Sequence, residues 1–461
     1  MAEDTPHIVP EDTEHLNCQA DASSEAGSDG RSDSGSDEVS ESSTIVYEHE
    51  SFETFQHRVK RFCSTQWPNA TEDCFEISRL DGGAFNRVIG IKYTNPVTEQ
   101  SEEYVLRIPR FESAPLEYEV ADFVFAAKST GLPVPEVIAY DLTENNSLKT
   151  RYSIQRRIPG QSLYEVYPTL NPSQKTSVAK AMAQVITKLQ SKVYSRFGRI
   201  DPTPVLAGTE SDLKKVFRFE VPARQSWNAG VDERIPSAPQ AVFELLLDLF
   251  ERWKAYDISI CPVDDCERLN KLIDMTKQME ELGMFKDQPV AFCHLDLEPR
   301  NILVTVLNDT EVVIEGILDW DSAVFAPRFM ACKVPFWLWR WDDEDDDTDE
   351  RNANKPFIDE LDLEIKRTFE GAIGQRFLYL AYPRKFQIAR KLFILATEGM
   401  RSTGALNEAD ELIEEWSELH IELLNPVKEM LISKDGFPSL GAFLKRKRQI
   451  LLQEITRCSI M

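Results

Sequence analysis

The stretch Cys293-His294-Leu295-Asp296-Leu297-Glu298-Pro299-Arg300-Asn301-Ile302-Leu303-Val304, followed by Gly316-Ile317-Leu318-Asp319-Trp320-Asp321, decides the reading of this chain. Its pattern is His-x-Asp-x-x-x-x-Asn, then a hairpin, then an Asp. The apolar runs NILVTV (301–306) and VVIEGIL (312–318) read as short strands on either side of a turn at Asn308-Asp309. The four-residue gap lets one loop present Asp296 and Asn301 to different partners, while the hairpin returns Asp319 to the opposite side. Such a set of oxygens suits phosphoryl transfer, which needs a carboxylate to orient or deprotonate an acceptor hydroxyl and hard ligands for Mg²⁺ on a polyphosphate. Asp296 suits the first task, Asn301 and Asp319 the second. His294 fits a brace for the loop better than a proton carrier. A surface turn and a helix cap would explain either segment alone, but not both at this separation.

Upstream, FEISRL from Phe75, DGGAFN, RVIGIKY and, after a turn at Asn95-Pro96, EEYVLRIPR read as consecutive antiparallel strands. Residues Pro115 to Thr130 have helical spacing and stop at Gly131, ahead of the rigid Leu132-Pro133-Val134-Pro135. A further strand pair brackets Asn145-Asn146 and ends in RYSIQRRIPG. Beyond Gly160 the period changes to that of helices. Val178, Met182, Val185, Ile186 and Leu189 make one apolar stripe, and Val242, Leu245, Leu246, Leu249, Phe250 and Trp253 another. The expected fold is α+β and two-lobed: an antiparallel-sheet N-lobe over 75–158 and a mainly helical C-lobe over 159–461. Residues 44–74 form an N-terminal extension with helical character, 199–238 an irregular insertion, and 342–350 an acidic loop.

The 461 residues carry a formal charge of −26. Residues 1–50 hold 14 Asp or Glu against the single Arg31, about half of that excess. The segment 1–43, rich in Ser, Asp, Glu and Gly, has too little apolar surface to offset the entropy of ordering and is expected to be a disordered acidic tail. This charge excludes non-specific nucleic-acid binding. No run reaches the roughly 18 apolar residues of a membrane span, and MAEDTPHIVPEDTEH lacks the basic and apolar regions of a secretory signal. A cytoplasmic location is expected. The eight cysteines are scattered without zinc or redox spacing and read as reduced, mostly core thiols.

With these motifs in hand, the chain resembles the aminoglycoside phosphotransferase family and its choline-kinase-like relatives, within the protein-kinase-like superfamily. HLDLEPRN and ILDWDSA match the family's catalytic and metal-binding segments. LDGGAFNRVIGI is similar to its nucleotide-covering hairpin, YVLRIPR to its third strand, EYEVADFVFAAKSTGLPVPEV to its helix and Pro-x-Pro turn, and IPGQSL to the segment after its fifth strand. The resemblance runs in order over roughly residues 75–400. It implies an ATP- and Mg²⁺-dependent transfer of phosphate to a hydroxyl of a small-molecule acceptor.

By position, the resemblance implies that Gly82 and Gly83 let the backbone approach the phosphates, and that Glu119 pairs with the cation on the third strand. It implies that residues Gln155 to Ile158, Gln155 and Arg156 among them, form the hinge that reads adenine. Where a protein kinase has a third-strand Lys, LRIPR offers Arg107, whose planar fork is not interchangeable with an ammonium. There is no Ala-Pro-Glu segment after Asp319, which favours a small acceptor over a protein. Two alternatives stay open: a kinase-like nucleotide- or partner-binding module with weak or no catalysis, and a metal-dependent hydrolase built on His294, Asp296 and Asp319. Finally, the acidic run 342–347 after the tryptophan-rich Phe336–Trp341, and the later Glu408, Asp410, Glu411, Glu414, Glu415 and Glu418, suggest a cationic acceptor. A solvated helix face beside an unstructured loop is the other explanation.

Overall fold

The computed structural model describes residues 50–67, 70–80, 85–111, 116–208, 216–219, 237–257, 263–341 and 359–432. The architecture is that of the unit Phe52–Met461. The acidic segment 1–43, Gly82 and Gly83, the loop 342–350 and most of the insertion 199–238 lie outside the described residues.

Helix α1 (Phe52–Gln66) leads into a five-stranded antiparallel sheet. Its strands are β1 (Phe75–Arg79), β2 (Asn86–Thr94), β3 (Ser101–Pro109), β4 (Val137–Asp141) and β5 (Tyr152–Arg156), in the spatial order β1-β2-β3-β5-β4. Alternation fixes the register: Ile89, Ile91 and Tyr93 on β2 and Tyr104, Leu106 and Ile108 on β3 turn to one face and are buried. Helix α1 covers that face with Phe55, Val59 and Phe62, spaced i, i+4, i+7, which are all buried. Burying each phenylalanine contributes about 1.5–3 kcal/mol.

Helix α2 (Leu116–Ser129) follows β3 in the chain, and the sequence reading groups it with the sheet. Its Phe123, Phe125 and Ala126 instead belong to the large core of the second lobe, where the Phe125 ring meets Phe292 and Phe325 edge-on at 4.9 and 5.4 Å. The helix thus couples the lobes. Beyond it the Pro133 carbonyl accepts from Ile317 N–H at 2.8 Å, docking the Pro-x-Pro turn beside the Asp319 segment.

After β5 the chain crosses at Gly160 into β6 (Gln161–Ser162), the short α3 (Leu163–Val166) and α4 (Pro172–Gln190). Helix α4 starts at a capping box, with Asn171 and Gln174 exchanging side-chain and backbone hydrogen bonds and Pro172 at its first position. The insertion contributes β7 (Arg199–Ile200), paired with β8 (Val216–Phe217), and α5 (Pro202–Leu206), capped by Asp201. Helices α6 (Val242–Asp257) and α7 (Val263–Glu281) precede β9 (Val290–Cys293), β10 (Ile302–Asn308), β11 (Glu311–Ile317) and β12 (Val324–Pro327). Strands β10 and β11 form the hairpin read from sequence, β6 adds a third strand to it, and β12 pairs with β9. Helices α8 (Glu360–Ile373), α9 (Gln375–Ala381), α10 (Arg384–Glu398) and α11 (Thr403–Ile432) complete the lobe. No helix among the described residues is long and apolar enough to cross a membrane.

Candidate active site

The catalytic-type loop leaves the buried strand β9 and closes through a single 3₁₀ turn at Pro299–Asn301. His294 is buried there, its ring 4.6 Å from the Trp320 ring. Its Nε2 lies 2.8 Å from the Leu318 carbonyl and its Nδ1 3.3 Å from the Asp296 amide, so Nε2 donates and Nδ1 accepts. Both nitrogens are engaged, which removes His294 as a metal ligand and with it the basis of the hydrolase reading. Burial holds the imidazole below its usual pKa, against the opposing pull of the Leu318 carbonyl and the Asp296 carboxylate. A neutral ring that ties two segments together is a brace.

Asp296 is half-buried, and Asn301 reaches back to it, its Nδ2 donating to the Asp296 carbonyl at 3.0 Å and to Oδ2 at 2.8 Å. That leaves Asn301 Oδ1 available as an oxygen donor. Arg300 donates from Nη2 to both Asp296 carboxylate oxygens. The Asn301 carbonyl accepts from Leu318 N–H at 2.8 Å, which brings Asp319 beside Asn301. Asp319 and Leu295 both adopt left-handed backbone, φ 59° and 64°. Leucine pays for that conformation, so the surrounding packing imposes it. Buried Trp320, stacked on Phe292 and donating from Nε1 to the Ile317 carbonyl, anchors the turn that carries Asp319.

On the opposite wall, Arg107 of β3 donates from Nε to Glu119 Oε1 of α2 at 2.6 Å. Its Nη2 lies 3.2 Å from Asp321 Oδ2 and 3.9 Å from Asp319 Oδ1. Burial alone would lower the Arg107 pKa, but Glu119, Asp321 and Asp319 together outweigh it and keep the guanidinium charged. Burial pushes the Asp321 carboxyl up to about 7, with Glu119 adding to the rise and Arg107 opposing it. Behind them Asp122 is fully buried, 3.4 Å from Arg199, whose Nη2 also donates to the Asp321 carbonyl at 2.9 Å. Burial raises the Asp122 pKa well above the usual carboxylate range even with that cation beside it.

Sequence reasoning singled out neither Arg300 nor Asp321, although both stand inside the quoted motifs. Arg199 and Asp122 had no local signal, because they meet only when the insertion folds back onto α2. Gln155 is buried in β5, while Arg156 is exposed and pairs with Glu136 at 3.3 Å. The backbone N–H groups of Arg156 and Arg157 donate to the Glu136 and Glu103 carbonyls. The Ile158 N–H, just beyond them, makes no backbone hydrogen bond among the described residues.

A pocket of about 370 Å³ shares a wall with the catalytic-type loop through Leu295, Leu297 and Glu298, and is closed by the segment 330–337 and by α10. Of the six acidic residues between 408 and 418 only Glu415 reaches it, and Glu415 is paired with Lys391 at 3.3 Å. Asp410 is paired elsewhere, with Arg268 at 2.8 Å. Of the aromatic run 336–341 only Trp337 lines the pocket, while Phe336 and Trp339 are buried in the core.

Residues 76–351 match the model of the phosphotransferase enzyme family. A subtelomeric hrmA-associated cluster protein of Aspergillus fumigatus is 28% identical over 317 residues, 57% of this chain and 60% of that protein. Altered inheritance of mitochondria protein 9 of Candida albicans is 33% identical over 136 residues, 27% of this chain and 21% of that protein. The chain thus spans less than two thirds of the curated relatives it matches. Among solved structures, Plasmodium vivax ethanolamine kinase aligns with a TM-score of 0.46 at 15% identity, covering 84% of this chain and 96% of that one. Aminoglycoside phosphotransferase APH(4)-Ia aligns with a TM-score of 0.45 at 15% identity, covering 79% and 98%. Since the family model spans more than half of its length, the chain belongs to the APH phosphotransferase enzyme family.

Proposed function

We propose that this protein transfers the γ-phosphoryl group of ATP, in a Mg²⁺-dependent reaction, to a hydroxyl group of a small-molecule acceptor. The observation that carries this reading is the stitching of Asp296, Asn301 and Asp319 into one cluster by hydrogen bonds from His294 to Leu318, Asn301 to Asp296, and Leu318 to Asn301. Asn301 Oδ1 and the half-exposed Asp319 carboxylate are hard oxygen donors of the kind Mg²⁺ takes, so the residues present fit the ion. When bound, Mg²⁺ would neutralise charge on the polyphosphate. Gly82, Gly83 and the hinge around Gln155, Arg156 and Ile158 are proposed to hold the nucleotide. Arg107, fixed by Glu119, supplies positive charge beside it.

In the reaction, Asp296 orients the acceptor hydroxyl and takes its proton as the oxygen attacks the γ-phosphorus. One oxygen–phosphorus bond forms, the bond from the γ-phosphorus to the bridging oxygen breaks, and the products are a phosphate monoester and ADP. The proton then leaves Asp296 for solvent. Positioning and charge neutralisation do most of the work. The free cysteines among the described residues suit a reducing compartment, which keeps the cytosol as the proposed location.

A second reading, a nucleotide-binding module without turnover, draws on the engagement of Arg107 by Glu119 and Asp321. Asp296→Asn separates the two. Turnover against a library of hydroxyl compounds should fall by about two to four decades, with MgATP affinity changed only a few fold. Wild-type protein that binds MgATP yet turns over neither acceptor nor water would favour the module.

A further inference from the structure

The insertion after α4 reaches the segment that carries Asp319, and it does so through one side chain. The chain entering β7 is tied to β12: the Gly198 N–H donates to the Phe325 carbonyl and the Phe325 N–H to the Gly198 carbonyl, both at 2.9 Å. Gly198 has φ 135°, and a Cβ there would stand 1.7 Å from the Phe217 carbonyl oxygen, so only glycine lets β8 close over this point. Ser237 donates from its hydroxyl to the Phe197 carbonyl at 2.7 Å and from its N–H to the Val216 carbonyl at 2.8 Å. The described part of the insertion is thereby fastened around β7, and it delivers Arg199 to the turn that leads from Asp319 into β12.

Helix α2 receives the Arg199 guanidinium with two side chains. Tyr118 and Asp122, spaced i, i+4, share a face of the helix. The guanidinium stands 5.0 Å from the centre of the Tyr118 ring, and its Nη2 is 3.4 Å from Asp122 Oδ2. The same Nη2 donates to the Asp321 backbone carbonyl at 2.9 Å. Asp321 also presents its carboxylate to Arg107 of β3, so the residue is held twice, by its side chain from the first lobe and by its main chain from the insertion. The two contacts differ in kind. Bound polyphosphate would compete with the Asp321 carboxylate for Arg107, whereas nothing in the contact of Arg199 with a main-chain carbonyl depends on which way Arg107 turns. A carbonyl fixed two residues beyond Asp319 restrains the backbone that aims the Asp319 carboxylate. That backbone is left-handed at Asp319, φ 59°, a conformation that a residue with a Cβ keeps only where its surroundings impose it.

We propose that Arg199 is a positioning residue for the Asp319 turn: by holding the Asp321 carbonyl against α2 it sets the direction of the Asp319 carboxylate, which makes the insertion part of the site. The role of Asp319 toward Mg²⁺ rests on the phosphotransferase reading, while the hold of Arg199 on the turn rests on its contacts alone.

The test combines hydrogen exchange of the full chain without ligand and calorimetry of ATP binding with and without Mg²⁺. Arg199→Met alone would leave the buried Asp122 carboxylate without its cation, so the comparison is between Asp122→Asn and the double variant Asp122→Asn/Arg199→Met, which differ only in the arginine. Amides of residues 318–323 should exchange about tenfold faster in the double variant, with the rest of the lobe unchanged. Its MgATP affinity should be lower on the order of tenfold, the usual cost of losing a group that orients a metal ligand, and its affinity for ATP without Mg²⁺ should stay within a few fold. Equal exchange at 318–323 in the two variants would overturn the proposal. So would faster exchange spread over the whole lobe, or an unchanged Mg²⁺ dependence, either of which marks a contact that only adds stability. Wild-type protein whose ATP binding ignores Mg²⁺ would sink the phosphotransferase reading instead, and the exchange difference would then decide by itself whether Arg199 holds the turn.

Discussion

Arg300 holds the Asp296 carboxylate with one nitrogen, its Nη2 lying 2.7 Å from Oδ1 and 3.0 Å from Oδ2. The proposed proton acceptor is therefore ion-paired before any acceptor arrives. The Arg300 side chain is 63% exposed, so water screens the pair and its effect on stability is small. Its consequence falls on chemistry: Arg300→Ala leaves the carboxylate held by Asn301 Nδ2 alone. The expected result is a melting temperature within about 2 °C of wild type, since such a pair contributes about 0–1 kcal/mol, with kcat lowered and KM for ATP unchanged. A raised KM for ATP with kcat intact would place Arg300 on the nucleotide instead.

Asp319→Asn tests the metal assignment without disturbing the backbone, because Asn tolerates the left-handed conformation that Ala does not. Loss of the carboxylate should weaken Mg²⁺-dependent ATP binding on the order of tenfold or more, the cost of a charged interaction of about 1.5–3 kcal/mol. ATP binding without Mg²⁺ should change little. Calorimetry with and without the ion distinguishes these, and an unchanged Mg²⁺ dependence would show that the ion is held elsewhere.

The buried His294 makes stability depend on pH in a stated direction. Its folded pKa lies below the unfolded value of about 6.5, so on acidification the unfolded chain takes up a proton that the folded one resists. The associated stability is complete above about pH 6.5 and is lost as pH falls toward the folded pKa. His294→Gln should lower the melting temperature at neutral pH and make its decline between about pH 7 and 5 shallower. Parallel melting curves for the two proteins across that range would contradict the brace.

Gly160, where the chain passes from β5 to the C-lobe hairpin, has φ 103°, and a Cβ there would stand 2.7 Å from the Val304 carbonyl oxygen. Gly160→Ala therefore meets both a disfavoured backbone and a backbone clash that no side chain can relieve. We expect a loss of about 1–3 kcal/mol in urea denaturation. Wild-type stability would mean that β6 can leave the hairpin edge without cost.

The motif around His294, Asp296, Asn301 and Asp319 was legible because spacing and strand period are local properties. Four residues between Asp296 and Asn301, and a hairpin of alternating apolar residues before Asp319, constrain the backbone whatever surrounds them. The sheet of the first lobe and the helices of the second were readable for the same reason. Tertiary structure alone decided what those residues touch. Arg107 meets Asp321 across 214 positions of chain, and Arg199 meets Asp122 across 77, so neither pair has a period or a spacing to betray it. Helix α2 shows the same limit: its apolar spacing predicts a helix, but which core receives Phe125 depends on where β9 and β12 place Phe292 and Phe325. The acidic residues of α11 make the point for charge. In the sequence they are a cluster, whereas in the fold Asp410 and Glu415 turn to different cations, and of that cluster only Glu415, already paired, lines the pocket.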